Sequence, residues 1–326
     1  MPFTSQDCAE PNFNVQAALS SLTNTSFLGV KQFETKIDLF HAPDHHIPKL
    51  RHIPVVATIM DAIPLAHPEW VSQHLRLLKN YVFRRSAQWC QRIITISEFS
   101  KGEIAEHFHI PLERIDSIPL GVSSAFFTQL ASGDIEKIIQ KRRLVPFSFI
   151  VIGTLQPRKN VRRIIEAHRS LPLALQKEHP LLIIGKYGWG DEALLRDILT
   201  MQRDGRGQWL TDVSNSELLA LLQSASAMLY PSLYEGFGLP ILEAMASGVP
   251  VITSNVSSMP EVAGDAALLI EPTSVDEIAA AMQRIVEDSA LAATLSARGK
   301  QRAGGFTWAR TAEQTLSVYR HVLAER

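Results

Sequence analysis

Charge of one sign is missing from this chain. Its 32 Lys and Arg face 33 Asp and Glu, a formal net charge of −1, so no basic excess points to nucleic acid as a partner. Cysteine is nearly absent. Cys8 and Cys90 are the only two; they form neither a metal-ligand spacing nor a disulfide framework, and they fit a reducing cytoplasm. No apolar run reaches the roughly 18 residues that a membrane span needs. The opening MPFTSQDCAEPNFN lacks the basic start and apolar core expected of a secretory signal. No repeat or low-complexity tract breaks the pattern.

What is present is an α/β pattern. With 326 residues the chain has room for two domains. Short β-branched runs alternate with longer helical stretches, which predicts parallel sheets. Candidate strands are 37–41, 53–59, 92–96 and 114–118, then 147–153, 181–185, 208–211, 226–230, 249–253 and 267–270. A charged helical segment, 133–145, closes at Pro146 between the two series. The expectation is an N-terminal domain over 1–145 and a C-terminal one from 146, two doubly wound sheets with a cleft between them. Ligands on such sheets bind at the carboxyl ends of the strands.

The segment 226–253, SAMLYPSLYEGFGLPILEAMASGVPVIT, is the most informative. A strand ends at Tyr230 and a loop follows with Glu235, Gly236 and Gly238. Pro240 suits the first helical position, and Gly248 with Pro250 suits the stop, predicting a helix over about 239–247. Its N-terminus, opening at a glycine-containing loop, is an anion site. Glu235 in the loop and Glu243, placed in the first turn, could accept hydrogen bonds from sugar hydroxyls. Taken singly, Glu235 could be a solvated loop residue and Glu243 a plain complement to the helix dipole.

In FSFIVIGTLQPRKNVRRIIEAH, residues 147–168, Arg158 and Lys159 fall at or just before a helix N-terminus. Cations there oppose the dipole and ask for an anion; a guanidinium fork and a mobile ammonium both suit phosphate oxygens. Arg162 and Arg163 read as a solvated face. The stretch LLIIGKYGWGDEA, with Asp212 some twenty residues on, formally matches a dinucleotide fingerprint. Lys186 and Tyr187 intervene before its first glycine and Trp189 crowds the turn, against a nicotinamide site. Residues 74–92, HLRLLKNYVFRRSAQWCQR, mix Arg76, Lys79, Arg84, Arg85 and Arg92 with apolar side chains. They read either as a surface helix with one packed face or as an interfacial helix on anionic lipid.

These segments resemble glycosyltransferase family 4, the group 1 glycosyltransferases. The resemblance covers roughly 36–326 and rests on YEGFGLPILEAMASGVPVI and VIGTLQPRKN, with support from ITISEFSKGEI, RIDSIPLGVSSAFF and FTWARTAEQTLSVYR. GTLQPRKN and YGWGDEALL look most like mannosyltransferases of polysaccharide and O-antigen assembly. The resemblance implies a GT-B fold and a retaining, metal-independent hexosyltransferase. Its donor would be a nucleotide-diphosphate-sugar, GDP-mannose ahead of a UDP-sugar, and its acceptor a saccharide or a lipid-linked one. The chain contains no Asp-x-Asp triplet, in keeping with a site that needs no metal or other cofactor.

By the same resemblance Arg158 and Lys159 hold the diphosphate, with Gly153 and Thr154 beside them. Glu235, Gly236, Phe237, Gly238 and Leu239 hold the transferred sugar and a phosphate. Glu243 takes the ribose, and the loop with Leu210 and Val213 meets the base. Residues 307–326 would form a last helix that returns to the N-terminal domain. Retention would follow from front-face attack, without a protein nucleophile. The protein would be cytoplasmic, with peripheral contact at the inner face of the membrane as a further expectation. The chain departs from the pattern at two points. Residues 1–36 show no glycine-rich loop, which keeps open a catalytically weak nucleotide-sugar-binding module with an incomplete acceptor domain. Met60-Asp61 also stands where the family often has His-Asp. Asp61 is a candidate for the acceptor side, or simply the Asp of a turn in DAIP; His41 and His67 are further candidates.

Overall fold

The computed structural model describes residues 19–20, 23–26, 37–70, 76–188 and 192–325. Cys8, most of the segment 1–36, and Trp189 and Gly190 of the dinucleotide-like stretch lie outside the described residues. The chain divides into two compact units, Met1–Ile118 with Ala312–Arg326, and Pro119–Thr311.

The first unit holds a four-stranded parallel sheet in the order β1 (Phe40–Ala42), β2 (Val55–Thr58), β3 (Arg92–Thr95), β4 (Ile115–Ser117). Alternation along β2 decides which helices cover which face. Val55 and Ala57 turn to a core with Ile93, Ile104, Phe108 and Ile115. Val56 turns the other way, with Ile94 and Ile118, and meets Val318 and Val322 of the helix Trp308–Ala324. Tyr319 of that helix bonds His41 Nδ1, and His41 Nε2 lies 2.8 Å from Thr58 Oγ1. The last helix is therefore an apolar cover for the first sheet.

The second unit holds six parallel strands, β5 (Phe149–Ile152), β6 (Leu181–Ile184), β7 (Gly207–Leu210), β8 (Ala227–Tyr230), β9 (Val251–Ser254) and β10 (Leu268–Ile270). Their spatial order is β10-β9-β8-β5-β6-β7. The chain runs outward from β5 through β6 to β7, then returns to β8 on the other flank of β5. The carboxyl ends of β5 and β8 thus form the topological switch point of a doubly wound sheet. Strands buried on both faces read as unbroken apolar runs, as FIVI and LLII do.

The division after Ile118 moves the boundary that the sequence suggested at 145/146. The helix Ser132–Arg142 packs on Asn215–Gln223 in the second unit. Arg142 grips Glu217 with Nε at 3.2 Å and Nη2 at 2.8 Å, and Gln223 Nε2 donates to Thr128 O at 2.7 Å. A charged amphipathic helix looks the same in sequence whether it links two cores or packs on one.

His168 in the helix Val161–Ser170 is 1% exposed, and its Nε2 lies 2.9 Å from His179 O. Burial drives its pKa down to about 4, against the small opposing pull of that carbonyl. The folded value is below the unfolded one, so the unfolded chain takes up the proton first. Stability should fall as pH drops from about 6.5 to 4, by roughly 3 kcal/mol from this group. His41 and His45, also lowered by burial, add to the slope. His168→Gln, which keeps an N–H donor but cannot titrate, should flatten the pH dependence of Tm; an unchanged slope would contradict the assignment.

Candidate active site

The site grows from the switch point. At the end of β5, Gly153 has φ +141°, and at the end of β6 a Cβ on Gly185 would lie 2.0 Å from Gly153 O. Only glycine lets the two strand ends approach so closely. The chain then makes the 3-10 turn Pro157–Lys159, and Asn160 in a left-handed conformation leads into the helix Val161–Ser170. Asn160 Nδ2 donates to Pro231 O (2.9 Å) and Pro272 O (2.6 Å), and Leu233 N donates to Arg158 O (2.8 Å). These bonds hold the turn with Arg158 and Lys159 against loop 231–238.

Glu235 is 7% exposed and lies between the two cations. Arg158 Nη1 is 2.5 Å from Oε2 and Lys159 Nζ is 2.6 Å from Oε1. The hydrogen bond of Nζ goes to the Tyr230 hydroxyl (2.6 Å), whose ring centroid is 4.4 Å away. Nζ thus meets Oε1 as a charge contact without hydrogen-bond alignment, and that buried oxygen has no hydrogen-bond partner. Burial alone would push the Glu235 carboxyl up, but Lys159 and Arg158 together hold it below the usual range and ionised. Burial pulls the Lys159 ammonium down, and the Glu235 charge opposes that pull. Tyr230 is pushed well up by burial and stays neutral. Two cations against one carboxylate leave a net positive charge in a largely buried place, which favours an anion.

Gly238, at φ +111°, precedes the helix Leu239–Ala246, and no side chain caps that end. Pro240 is the second residue of this helix; its missing N–H has no intrahelical partner there either. Phe237 is buried against Phe306 at 6.1 Å. Glu243 is a correction: the helix starts at Leu239, so Glu243 lies beyond the first turn, and the first turn holds no acid. Its carboxyl is part-buried, has no partner among the described residues, and is pushed up by burial. A plain dipole complement would sit one turn earlier.

Gly153 lies beside the Lys159 stem, with Thr154 exposed next to it. Leu210 ends β7 and Val213 follows in the next loop, two strands across from β5. Trp209 Nε1 bonds Gly185 O at 2.8 Å and braces that edge. Arg162 pairs with Asp197 on the surface, as a solvated face should. At the dinucleotide-like stretch, Gly188 N bonds Leu155 O (3.0 Å), and the helix begins at Glu192, four residues later. Asp61 belongs to the first unit, at the carboxyl end of β2, where Oδ1 accepts from Ile63 N (2.9 Å) in the turn before Ile63–Ala66. His67 pairs with Glu69 and stacks on Trp70. Tyr230 escaped sequence reasoning; the only available signal was a hydroxyl-bearing aromatic ending an otherwise aliphatic buried strand. Among the described residues the one group with metal-ligand spacing is Glu103, Glu106 and His107 on the helix Glu98–Phe108, and it includes none of these side chains.

The two parallel-sheet units have the GT-B fold; the second is doubly wound with a cationic switch point, whereas the four described strands of the first run in sequential order rather than reversing as expected. Sucrose-phosphate synthase from Thermosynechococcus elongatus superposes with a TM-score of 0.75 at 20% identity, covering 99% of this chain and 82% of that one. Anabaena HepE in complex with UDP and glucose superposes at 0.73 and 19%, over 89% and 80%. Residues 134–302 match the family described as glycosyl transferases group 1, and residues 10–126 match glycosyltransferase family 4. The family 4 match thus starts ahead of residue 36, the start of the resemblance that the motifs carry. Escherichia coli O-antigen chain mannosyltransferase B is 34% identical over 86% of this chain and 74% of its own length. The E. coli serotype-specific mannosyltransferase WbdA is 30% identical over 71% of this chain but only 29% of its own. The chain belongs to the group 1 and family 4 glycosyltransferases, and it is a glycosyltransferase. The reading as a weak binding module is not favoured.

Glu235→Ala would leave two buried cations unpaired, which should cost about 3–5 kcal/mol in urea unfolding. A loss below about 1 kcal/mol would mean that the pairing is not buried as described.

Proposed function

We propose that the chain transfers mannose from GDP-mannose, with retention and without a metal, to a saccharide or lipid-linked acceptor in cell-surface polysaccharide synthesis. The observation that carries this reading is Glu235 buried between Arg158 and Lys159 at the switch point. Support for mannose comes from the relatives, which are named as O-antigen and serotype-specific mannosyltransferases. The complex of HepE with UDP and glucose favours a UDP-sugar as the second reading.

As the glycosidic bond breaks, negative charge gathers on the leaving diphosphate. Arg158 and Lys159 are already desolvated and fixed there, so they stabilise that charge with little reorganisation. Glu235 and the backbone at Gly236, Phe237, Gly238 and Leu239 hold the sugar. Gly153 and Thr154 line the diphosphate. Glu243, part-buried and unpaired, takes ribose hydroxyls, and Leu210 and Val213 meet the base about 10 Å across the sheet from β5. Asp61 serves the acceptor. The donor's own phosphate takes the acceptor proton, so the protein contributes position and charge rather than a nucleophile.

Calorimetry with GDP, UDP and GDP-mannose should give micromolar binding of one base, weakened about 100-fold or more in Arg158→Ala/Lys159→Ala. NMR of the product should show the donor's anomeric configuration, with turnover unchanged by EDTA. Failure to bind any nucleoside diphosphate would remove the proposal. An inverted product would remove its mechanism.

Peripheral attachment to the inner membrane face is proposed for the helix Arg76–Ala87. No helix among the described residues is long and apolar enough to cross a membrane. Leu77, Leu78 and Tyr81 are exposed at 81%, 41% and 46% on the same face as Arg84 and Arg85. Sedimentation with phosphatidylglycerol-containing vesicles should be lost in Leu77→Ser/Tyr81→Ser and absent with pure phosphatidylcholine. Equal sedimentation of the variant would sink the idea.

A further inference from the structure

The loop that carries Glu235 is held from behind by two consecutive serines. Ser257 and Ser258 follow β9, on the turn that opens the helix Met259–Ala263. Glu235 N donates to Ser257 Oγ at 3.1 Å. Ser258 is fully buried, and its hydroxyl faces Glu235 O at 2.8 Å and Phe237 O at 2.7 Å. One hydroxyl proton is thus shared between two carbonyls of the same loop.

Ser257 has φ +53°, in the left-handed region. His109 and Arg143, also there, close the C-termini of helices, Asn24 and Asn160 are of a type that tolerates the conformation, and Phe147 lies in the turn that opens β5. Ser257 is the one that lies against the loop of the candidate site. A residue stays in such a conformation only where its surroundings hold it, and such residues gather at functional sites. What Ser257 holds here is the backbone of the buried Glu235.

In a trans peptide the carbonyl of one residue and the N–H of the next point in opposite directions. No cis peptide occurs among the described residues. Pinning the carbonyls of Glu235 and Phe237 on Ser258 therefore turns the N–H groups of Gly236 and Gly238 to the opposite side of the loop. That loop leads into the uncapped N-terminus of Leu239–Ala246. The Gly238 N–H carries no side chain in its way.

We propose that Ser257 and Ser258 are positioning residues for sugar transfer. They aim the Gly238 N–H group at the donor's sugar, and hold the backbone from which the Glu235 carboxylate reaches it, without touching the donor. This rests on assigning 235–239 to the donor sugar. Arg158 and Lys159, assigned to the diphosphate, also have bonds that the serines do not make, Leu233 N to Arg158 O and Lys159 Nζ to the Tyr230 hydroxyl, so the serines should affect the sugar more than the nucleotide.

The test compares the unsubstituted chain with Ser257→Gly and Ser258→Ala, by calorimetry with GDP and GDP-mannose, donor turnover and Tm. The UDP and UDP-glucose pair replaces these if the base is uracil. Ser257→Gly removes the hydroxyl but relieves the left-handed strain, so its Tm should hold or rise. GDP should bind within about twofold of the unsubstituted chain, while the Kd for GDP-mannose rises and turnover falls, each about tenfold. Ser258→Ala should shift the same two quantities with a lower Tm. Sugar-nucleotide affinity and turnover unchanged in Ser257→Gly would overturn the proposal. So would losses that track Tm and fall equally on GDP and GDP-mannose, which would make the serines merely structural. If the unsubstituted chain bound neither nucleotide pair, the donor-site assignment itself would fail and this inference with it.

Discussion

The second unit depends on one arrangement of charge. A carboxylate and two cations are taken largely out of water at the junction of β5 and β8, and each would be costly alone. They persist because Glu235 meets Arg158 and Lys159 at 2.5 and 2.6 Å, and because the backbone on both sides is tied down. Asn160 fastens the turn of the cations to the loop of the carboxylate, and Ser257 and Ser258 fasten that loop to the turn after β9. The pair of cations exceeds the carboxylate by one charge. That surplus is held in place before any ligand arrives, which is what stabilising a leaving diphosphate requires.

The sheets supply this arrangement by topology rather than by any special strand sequence. A parallel strand order that reverses at β5 leaves two diverging strand ends, and the loops after them must part. Glycine at 153 and 185 lets the ends of β5 and β6 draw together, while the bulkier turn 157–160 and loop 231–238 close over the gap between β5 and β8. In the first unit four parallel strands run in sequential order without that reversal, and one face relies on Val318 and Val322 from the far end of the chain.

Much of this was legible in the sequence, and for a physical reason. The ten strands among the described residues all overlap the runs read as strands; the central ones, such as FIVI and LLII, stand out because a strand covered on both faces must be apolar along its length, whereas IDS and GQWL at the sheet edges are mixed. Arg158, Lys159 and Glu235 were legible because a cation at a helix start and a carboxylate in a glycine-containing loop are locally out of place. Long-range partners were not. Nothing near 133–145 tells that Arg142 will meet Glu217, so the boundary was drawn too late. Glu243 is the fifth residue of a helix whose start at 239 was legible, so it belongs one step past the first turn to which it was assigned. Tyr230 and the serines at 257 and 258 act through contacts twenty to seventy residues away, and no periodicity records those.

The most direct measurement is a crystal structure of the protein with intact GDP-mannose or the UDP-sugar that it binds. The donor-site assignment predicts a diphosphate within hydrogen-bond distance of Arg158 and Lys159, with Glu235 accepting from hydroxyls of the sugar through Oε1, which meets Lys159 Nζ but accepts no hydrogen bond. A donor bound elsewhere, with the Glu235 ion pairs intact and no ligand against loop 235–239, would contradict it.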